Sequence, residues 1–229
     1  MPLDCTEPLA IIGLATRFPD DADTTENLWE FLLERRCAHA PFPADKIEAG
    51  HYHPDPEHGG TFAVKGRSFE MIKCGTIAYT GANLEITGGH WLKEDPAYFD
   101  APFFGITKGE AMSLDPQQRV ALENVYLALE NSGLAMEKVA GSSTSVFVSG
   151  FNHDHLSILN SDPETTLRHR VTGLTNSMHS NRVSWFFDFR GPSVTIDTAC
   201  SSSMAALHLG GQSLRNGESE MAVVTGYVS

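Results

Sequence analysis

A layered α/β fold is what this sequence predicts, and its second half carries the expectation. Short runs rich in apolar and β-branched residues recur at 145–149, 193–197 and 221–225, each of a length suited to a buried strand. Helical periodicity fills stretches between them, at 172–183 and 201–215. Strands alternating with helices imply a sheet covered by helical layers.

The elements before these are more uneven. Residues 9–14 form an apolar run that reads as a buried strand. Thr24 or Thr25 then caps a helix carrying Leu28, Trp29, Phe31 and Leu32. From residue 36 to 100 the chain is rich in Pro, Gly and His and poorly periodic, which predicts mostly loop with short extended pieces. A loop of that length is unusual inside a compact domain. Order returns at Thr107, a plausible cap. Met112, Leu114, Val120, Leu122, Val125 and Leu129 then mark one amphipathic helix, the longest, running to a stop at Gly133. No internal repeat, low-complexity tract or linker divides the chain.

Composition narrows the function. A chain of 229 residues, 41% of them hydrophobic, suits one sizeable domain or part of one. Its formal charge of −13 disfavours nucleic acid and anionic lipid, which require clustered Lys and Arg. The four cysteines, Cys5, Cys37, Cys74 and Cys200, are widely spaced without a CxxC pair. That favours reduced thiols in a cytoplasmic chain over a zinc ribbon or a disulfide framework. Neither a secretory leader nor a membrane-length apolar run is evident.

The densest chemical signal is GPSVTIDTACSSS at residues 191–203, where a strand turns through small residues into a helix with Cys200 at the turn. A thiol at a helix N-terminus faces unpaired N–H groups and the positive end of the dipole, which favour the thiolate. Ala199 and the serines 201–203 leave room for a carbonyl, and an amide at the turn can help hold an oxyanion. The bland alternative is an ordinary buried cysteine beside serines that cap a helix.

This run closely resembles the active-site signature of β-ketoacyl synthases of the polyketide and fatty-acid synthase type. Residues 7–18 (EPLAIIGLATRF) resemble the family's opening strand, FDAPFF at 99–104 its entry loop and LDPQQR at 114–119 its long helix. Asn181-Arg182-Val183-Ser184 and Gly191-Pro192 fit as well, and the style is nearest to fungal polyketide synthases of the reducing type. The resemblance implies the N-terminal half of a thiolase-like fold, layered α/β/α, over residues 7–229 after a tail at 1–6. It also implies that Cys200 accepts an acyl group from a phosphopantetheine thioester on an acyl carrier domain. A carrier-bound malonyl unit then loses carbon dioxide and its carbanion attacks, giving a β-ketoacyl thioester. The expected partners are the acyl carrier domain, acyl and malonyl thioesters and a second copy in a homodimer; no directly bound cofactor is expected. The family's two histidines and lysine belong to a second half not matched here. The isolated chain is therefore expected to make no β-ketoacyl product and to expose apolar surface where that half belongs.

Several features depart from the family pattern. Joining Lys65-Gly66 to Gly89-His90 would restore VKGGHWLKED, so about 22 residues, 67–88, read as an insertion. A retained intron is one source: GCTAAC, a branch-point string, can encode Ala82-Asn83, and Thr87-Gly88 permits an AG acceptor. A genuine surface insertion is the other. Tyr227-Val228-Ser229 also departs from the expected apolar continuation and fits read-through into intron sequence. His179 stands where the family usually carries an aliphatic residue, which is expected to disturb side-chain fit near the acyl pocket.

Other chemistries are weaker. His51, His53 and His58, or His153, Asp154 and His155, offer metal-ligand types without a third group fixed by spacing, so no metal is expected. No GxSxG elbow suggests a serine hydrolase, and Gly59-Gly60 and Gly210-Gly211 form no nucleotide-binding pattern. Two further readings stand beside the leading one: a nonenzymatic truncated fragment or dimerisation module, and a thiolase-fold condensing enzyme that uses coenzyme A thioesters.

Overall fold

The computed structural model describes residues 8–41, 88–150, 152–161 and 168–226. It divides into two units, residues 18–93 and residues 1–17 with 94–229. Most of the proposed 67–88 insertion and the 227–229 tail lie outside the described residues.

In the smaller unit, helix α1 (Thr25–Leu33) starts where expected, with Thr24 as its cap accepting from the Asn27 amide at 3.1 Å. Strands β1 (His39–Pro41) and β2 (Gly88–His90) pair antiparallel, and Arg36 bridges Asp20 and Asp21 at 2.8 and 2.7 Å.

The larger unit holds the sheet. Strands β3 (Thr144–Ser149), β4 (Ser193–Ile196) and β5 (Met221–Thr225) run parallel in the order β4-β3-β5. Parallel neighbours need crossovers. Here β3 reaches β4 through helices α5 (Asp154–Ser161), α6 (Arg170–Leu174) and α7 (Ser177–Phe187), and β4 reaches β5 through α8 (Ser202–Arg215). The two crossovers leave β3 and β4 in opposite directions across the sheet, so a common right-handed turn sends α7 and α8 to opposite faces.

The side chains agree with that layering. Successive strand residues face opposite sides. Val146 and Val148 join the core with Val183 and Phe187 of α7 and with Leu122, Val125 and Leu129 of α3 (Pro116–Ser132). Phe147, Ala222 and Val224 point the other way, toward Gly210 of α8, where an added Cβ would stand 2.8 Å from Val224 Cγ2. The α/β/α layering expected from the sequence is thus present.

Three local expectations are corrected. Residues 9–14 form no ladder: Ile11 is 80% exposed, and the segment is tied down by Leu14, whose amide donates to Asn131 Oδ1 at 2.9 Å. A strand needs a partner edge, and among the described residues none is paired to it. The helix expected from Thr107 to Gly133 is two, α2 (Lys108–Ala111) and α3. Proline lacks an amide donor and pushes its predecessor out of the helical region, so Asp115 sits at ψ 132 and caps a new helix. The helix expected over 172–183 is likewise split, since Thr175 is extended (ψ 131) between α6 and α7. The 17 residues of α3 still make it the longest described helix, Gly133 ends it at φ 72, and the one-turn helix α4 (Met136–Val139) follows before β3.

Asp115 is buried and accepts from the Gln117 amide at 2.8 Å. Asp115→Ala is expected to cost about 1–2 kcal/mol, the upper range for losing a cap, measured as a fall in the urea midpoint.

Candidate active site

The site is built where β4 runs into α8. Beyond Ile196 the chain turns at Asp197-Thr198-Ala199, and Ala199 adopts φ 55, a left-handed conformation that costs a residue with a Cβ about 1 kcal/mol. Such strain persists only where the surroundings hold it. Asp197 Oδ1 accepts from the Ala199 amide at 3.0 Å, and Ser202 Oγ accepts from the Thr198 amide at 2.7 Å while donating to the Ala199 carbonyl at 2.7 Å. Ser201 Oγ donates to the Thr198 carbonyl at 2.7 Å.

The serines therefore brace the turn. Ser201 stands at the N-cap of α8 but makes no side-chain bond to the first-turn amides. Cys200, the residue just before that cap, is exposed. The bland alternative of a buried cysteine beside capping serines does not hold. Cys200 stands at the amide-rich end of a helix 14 residues long, on a turn fixed from both sides. Cys37 is also exposed, in the other unit, while Cys5 and Cys74 lie outside the described residues. Along α8 the apolar Met204 and Leu207 are 67% and 48% exposed, a stripe on the helix that starts beside Cys200.

A buried polar network links the motifs at 114–119 and 181–184. Arg182 of α7 is 6% exposed; its Nε donates to Gln118 Oε1 at 2.8 Å and a terminal nitrogen donates to Glu110 Oε1 at 2.8 Å. Gln118, fully buried on α3, donates to the Gly173 carbonyl at 2.8 Å. Arg119 donates to the carbonyls of Leu114 and Ala111 at 2.7 and 3.0 Å. The network fastens α2, α3 and α6 to α7, which packs against β3 and β4. In the sequence these residues stand out only as parts of the two motifs; their signal is an arginine and a glutamine at core-facing helical positions.

His179 is buried on α7, with neither ring nitrogen in a hydrogen bond. Burial holds its pKa below the usual 6.5, Asp115 opposing and His153 reinforcing. His155 is depressed as well, by burial first. A depressed histidine contributes stability that is present above the unfolded value near 6.5 and is lost as pH falls through the folded one. Wild type should therefore lose stability faster than His179→Leu between pH 7 and 5, a difference read from denaturation midpoints at the two pH values.

Of the two histidine groups weighed as metal ligands, His51, His53 and His58 lie outside the described residues. Among the described residues no three His, Cys, Asp or Glu side chains converge into a metal-holding group, and no helix is long and apolar enough to cross a membrane.

The strand β4 thus ends in a braced, strained elbow that places an exposed cysteine at a helix N-terminus. The chain belongs to the β-ketoacyl synthase family: it matches the family's N-terminal domain over residues 6–74 and 77–228. More particularly, it corresponds to the N-terminal part of a polyketide synthase ketosynthase domain of the fungal reducing type. It is 45% identical over 221 residues to 6-hydroxymellein synthase of Talaromyces verruculosus, and 47% identical over 221 residues to a highly reducing polyketide synthase of Aspergillus terreus. Those matches cover 96% of this chain but only 8% and 6% of the two relatives. Among solved structures, an oxazolomycin ketosynthase domain from Streptomyces albus superposes with TM-score 0.73 at 34% identity, covering 93% of this chain and 34% of that one. A bacillaene synthase ketosynthase from Bacillus subtilis gives 0.71 at 26% identity, covering 96% and 32%.

Proposed function

We propose that this chain supplies the nucleophile half of a ketosynthase that extends polyketide acyl chains in a cytoplasmic synthase. The single observation that carries the reading is the exposed Cys200 on its braced elbow at the start of α8. The Cys200 thiolate attacks the carbonyl of an acyl group held as a thioester on the phosphopantetheine arm of an acyl carrier domain. The carbonyl oxygen gains charge, which a backbone amide beside Cys200 not already bonded within the turn would stabilise. Collapse breaks the carbonyl–sulfur bond to phosphopantetheine, whose thiolate takes up a proton, and leaves the acyl group on Cys200 Sγ. Decarboxylation of the malonyl unit and carbon–carbon bond formation belong to groups that the second half of such a domain supplies. Residues 7–229 act as this one unit, with 67–88 as an insertion.

The coenzyme A alternative is separated by the donor. Octanoyl-phosphopantetheinyl carrier domain and octanoyl coenzyme A are offered at equal concentration, and the acyl mass on the chain is followed with time. Faster transfer from the carrier domain is expected; faster transfer from coenzyme A would overturn the carrier reading.

A dimerisation role draws support from β4. It is an edge strand among the described residues, with Val194 40% exposed, and a free edge is a template for a second copy. Light scattering of the purified chain is expected to give the mass of a dimer that Val194→Pro converts to monomer.

A further inference from the structure

The imidazole of His179 is 1% exposed, with Nδ1 and Nε2 both unpaired. Leaving buried polar groups without partners is costly, and such groups in a folded protein call for a strain, catalytic or ligand explanation.

The surroundings favour a ligand. Gly150, directly after β3, stands beside the ring: a Cβ built there would meet His179 Nδ1 at 3.7 Å and Thr195 Cγ2 at 2.9 Å. A side chain here would collide with Thr195, so residue 150 offers the imidazole no side-chain partner. The Thr195 hydroxyl of β4 is engaged with Ser180, accepting from the amide at 3.2 Å and donating to Oγ at 3.1 Å, so its one proton is not offered to the ring. The Gly150 amide is likewise used, donating to the Ile196 carbonyl at 3.0 Å.

Position relative to the nucleophile completes the case. Gly150 and Cys200 both follow the carboxyl ends of neighbouring parallel strands, the edge where α/β sheets bind ligands. Thr195 and Cys200 are five positions apart in the chain, a path of at most about 18 Å even if fully extended. An acyl chain of medium length on Cys200 Sγ can cover much of such a distance. The buried ring is held neutral by its surroundings, and a neutral imidazole offers one donor and one acceptor, the pair that a hydroxyl or a carbonyl oxygen matches.

We propose that His179 is a specificity-determining residue that hydrogen-bonds an oxygen on the acyl chain carried by Cys200. The ketosynthase would then prefer acyl chains bearing a hydroxyl over fully saturated chains of equal length. This inference rests on the acyl-transfer reading of Cys200, and its test separates the two.

The 229-residue chain is given equal amounts of 3-hydroxyoctanoyl and octanoyl N-acetylcysteamine thioesters, and the masses on Cys200 are compared. Wild type is expected to load the hydroxyacyl group about 10-fold faster, the worth of one net buried hydrogen bond. His179→Leu should abolish that preference and His179→Gln, which keeps a donor and an acceptor, should restore part of it. Equal loading of both groups by wild type, or a preference that survives in His179→Leu, overturns the proposal.

Should neither thioester load Cys200, the acyl-transfer reading fails and a binding measurement decides the proposal. In Cys200→Ala the side-chain nitrogen resonances of His179 are followed while each thioester is added. A shift with the hydroxyacyl compound but not the saturated one supports the contact. No shift with either leaves a buried water as the ring's partner and overturns it.

Discussion

Arg182→Met will lower the stability of the chain by about 3–5 kcal/mol, the range for breaking a buried, hydrogen-bonded charge pair. The guanidinium is 6% exposed and makes 2.8 Å bonds to Glu110 and to Gln118, so its removal leaves a carboxylate and a fully buried amide oxygen without their partner. Methionine fills similar volume but offers no donor. With a domain stability of only about 5–15 kcal/mol to draw on, much of the variant population should be unfolded or open. Arg190→Met is the matched control, because Arg190 pairs with Asp188 while 69% exposed, and exposed pairs contribute about 0–1 kcal/mol. Urea denaturation followed by circular dichroism reads both. Equal midpoints for the two variants would show that the buried network does not hold α7 in place.

Gly191→Ala will be nearly as damaging and will act on the strand that leads to Cys200. A Cβ at residue 191 would stand 2.6 Å from the Thr144 carbonyl carbon and oxygen and 2.7 Å from the Ser145 amide nitrogen. These are backbone atoms of β3, which cannot swing aside as a flexible side chain would. The close approach also carries two bonds, from the Gly191 amide to the Thr144 carbonyl at 3.0 Å and from the Val146 amide to the Pro192 carbonyl at 2.7 Å. Forcing the strands apart here should cost about 2–4 kcal/mol, within the range for overpacked and backbone-strained sites. It should also displace β4 and slow acylation of Cys200. Denaturation midpoints and acylation rates are measured together; a variant with normal values for both would show that the strand junction tolerates a methyl.

How far the structure could be read from the sequence depends on whether its determinants are local. Strands β3, β4 and β5 were legible because each is a short run of Val, Ile, Thr or Phe next to small turn residues, and β5 was placed at its observed bounds. The helix α1 was legible from Thr24, and Cys200 from a motif confined to consecutive residues. The two helix breaks escaped a reading based on apolar periodicity, which continues across Pro116 and Thr175 while the backbone does not. The expected strand at 9–14 has the right composition but pairs with no strand among the described residues. Composition is a property of the segment; pairing is a property of its neighbours. The Arg182 network was illegible for a similar reason, since its partners lie 64 and 72 residues away in the chain. His179 was recognised as a departure, but its two unpaired nitrogens emerge only once Gly150 and Thr195 are packed beside it.

Site-resolved mass spectrometry of the acylated chain tests the central claim most directly. The protein is incubated with octanoyl N-acetylcysteamine thioester, digested without reducing agent, and its four cysteine-bearing peptides are examined for the acyl mass. The account predicts a thioester on the peptide containing Cys200, absent in Cys200→Ala, with Cys37 unmodified although it too is exposed. Equal labelling of Cys37 and Cys200, or an adduct that persists in Cys200→Ala, would contradict it, because the braced elbow before α8 would then confer no special reactivity.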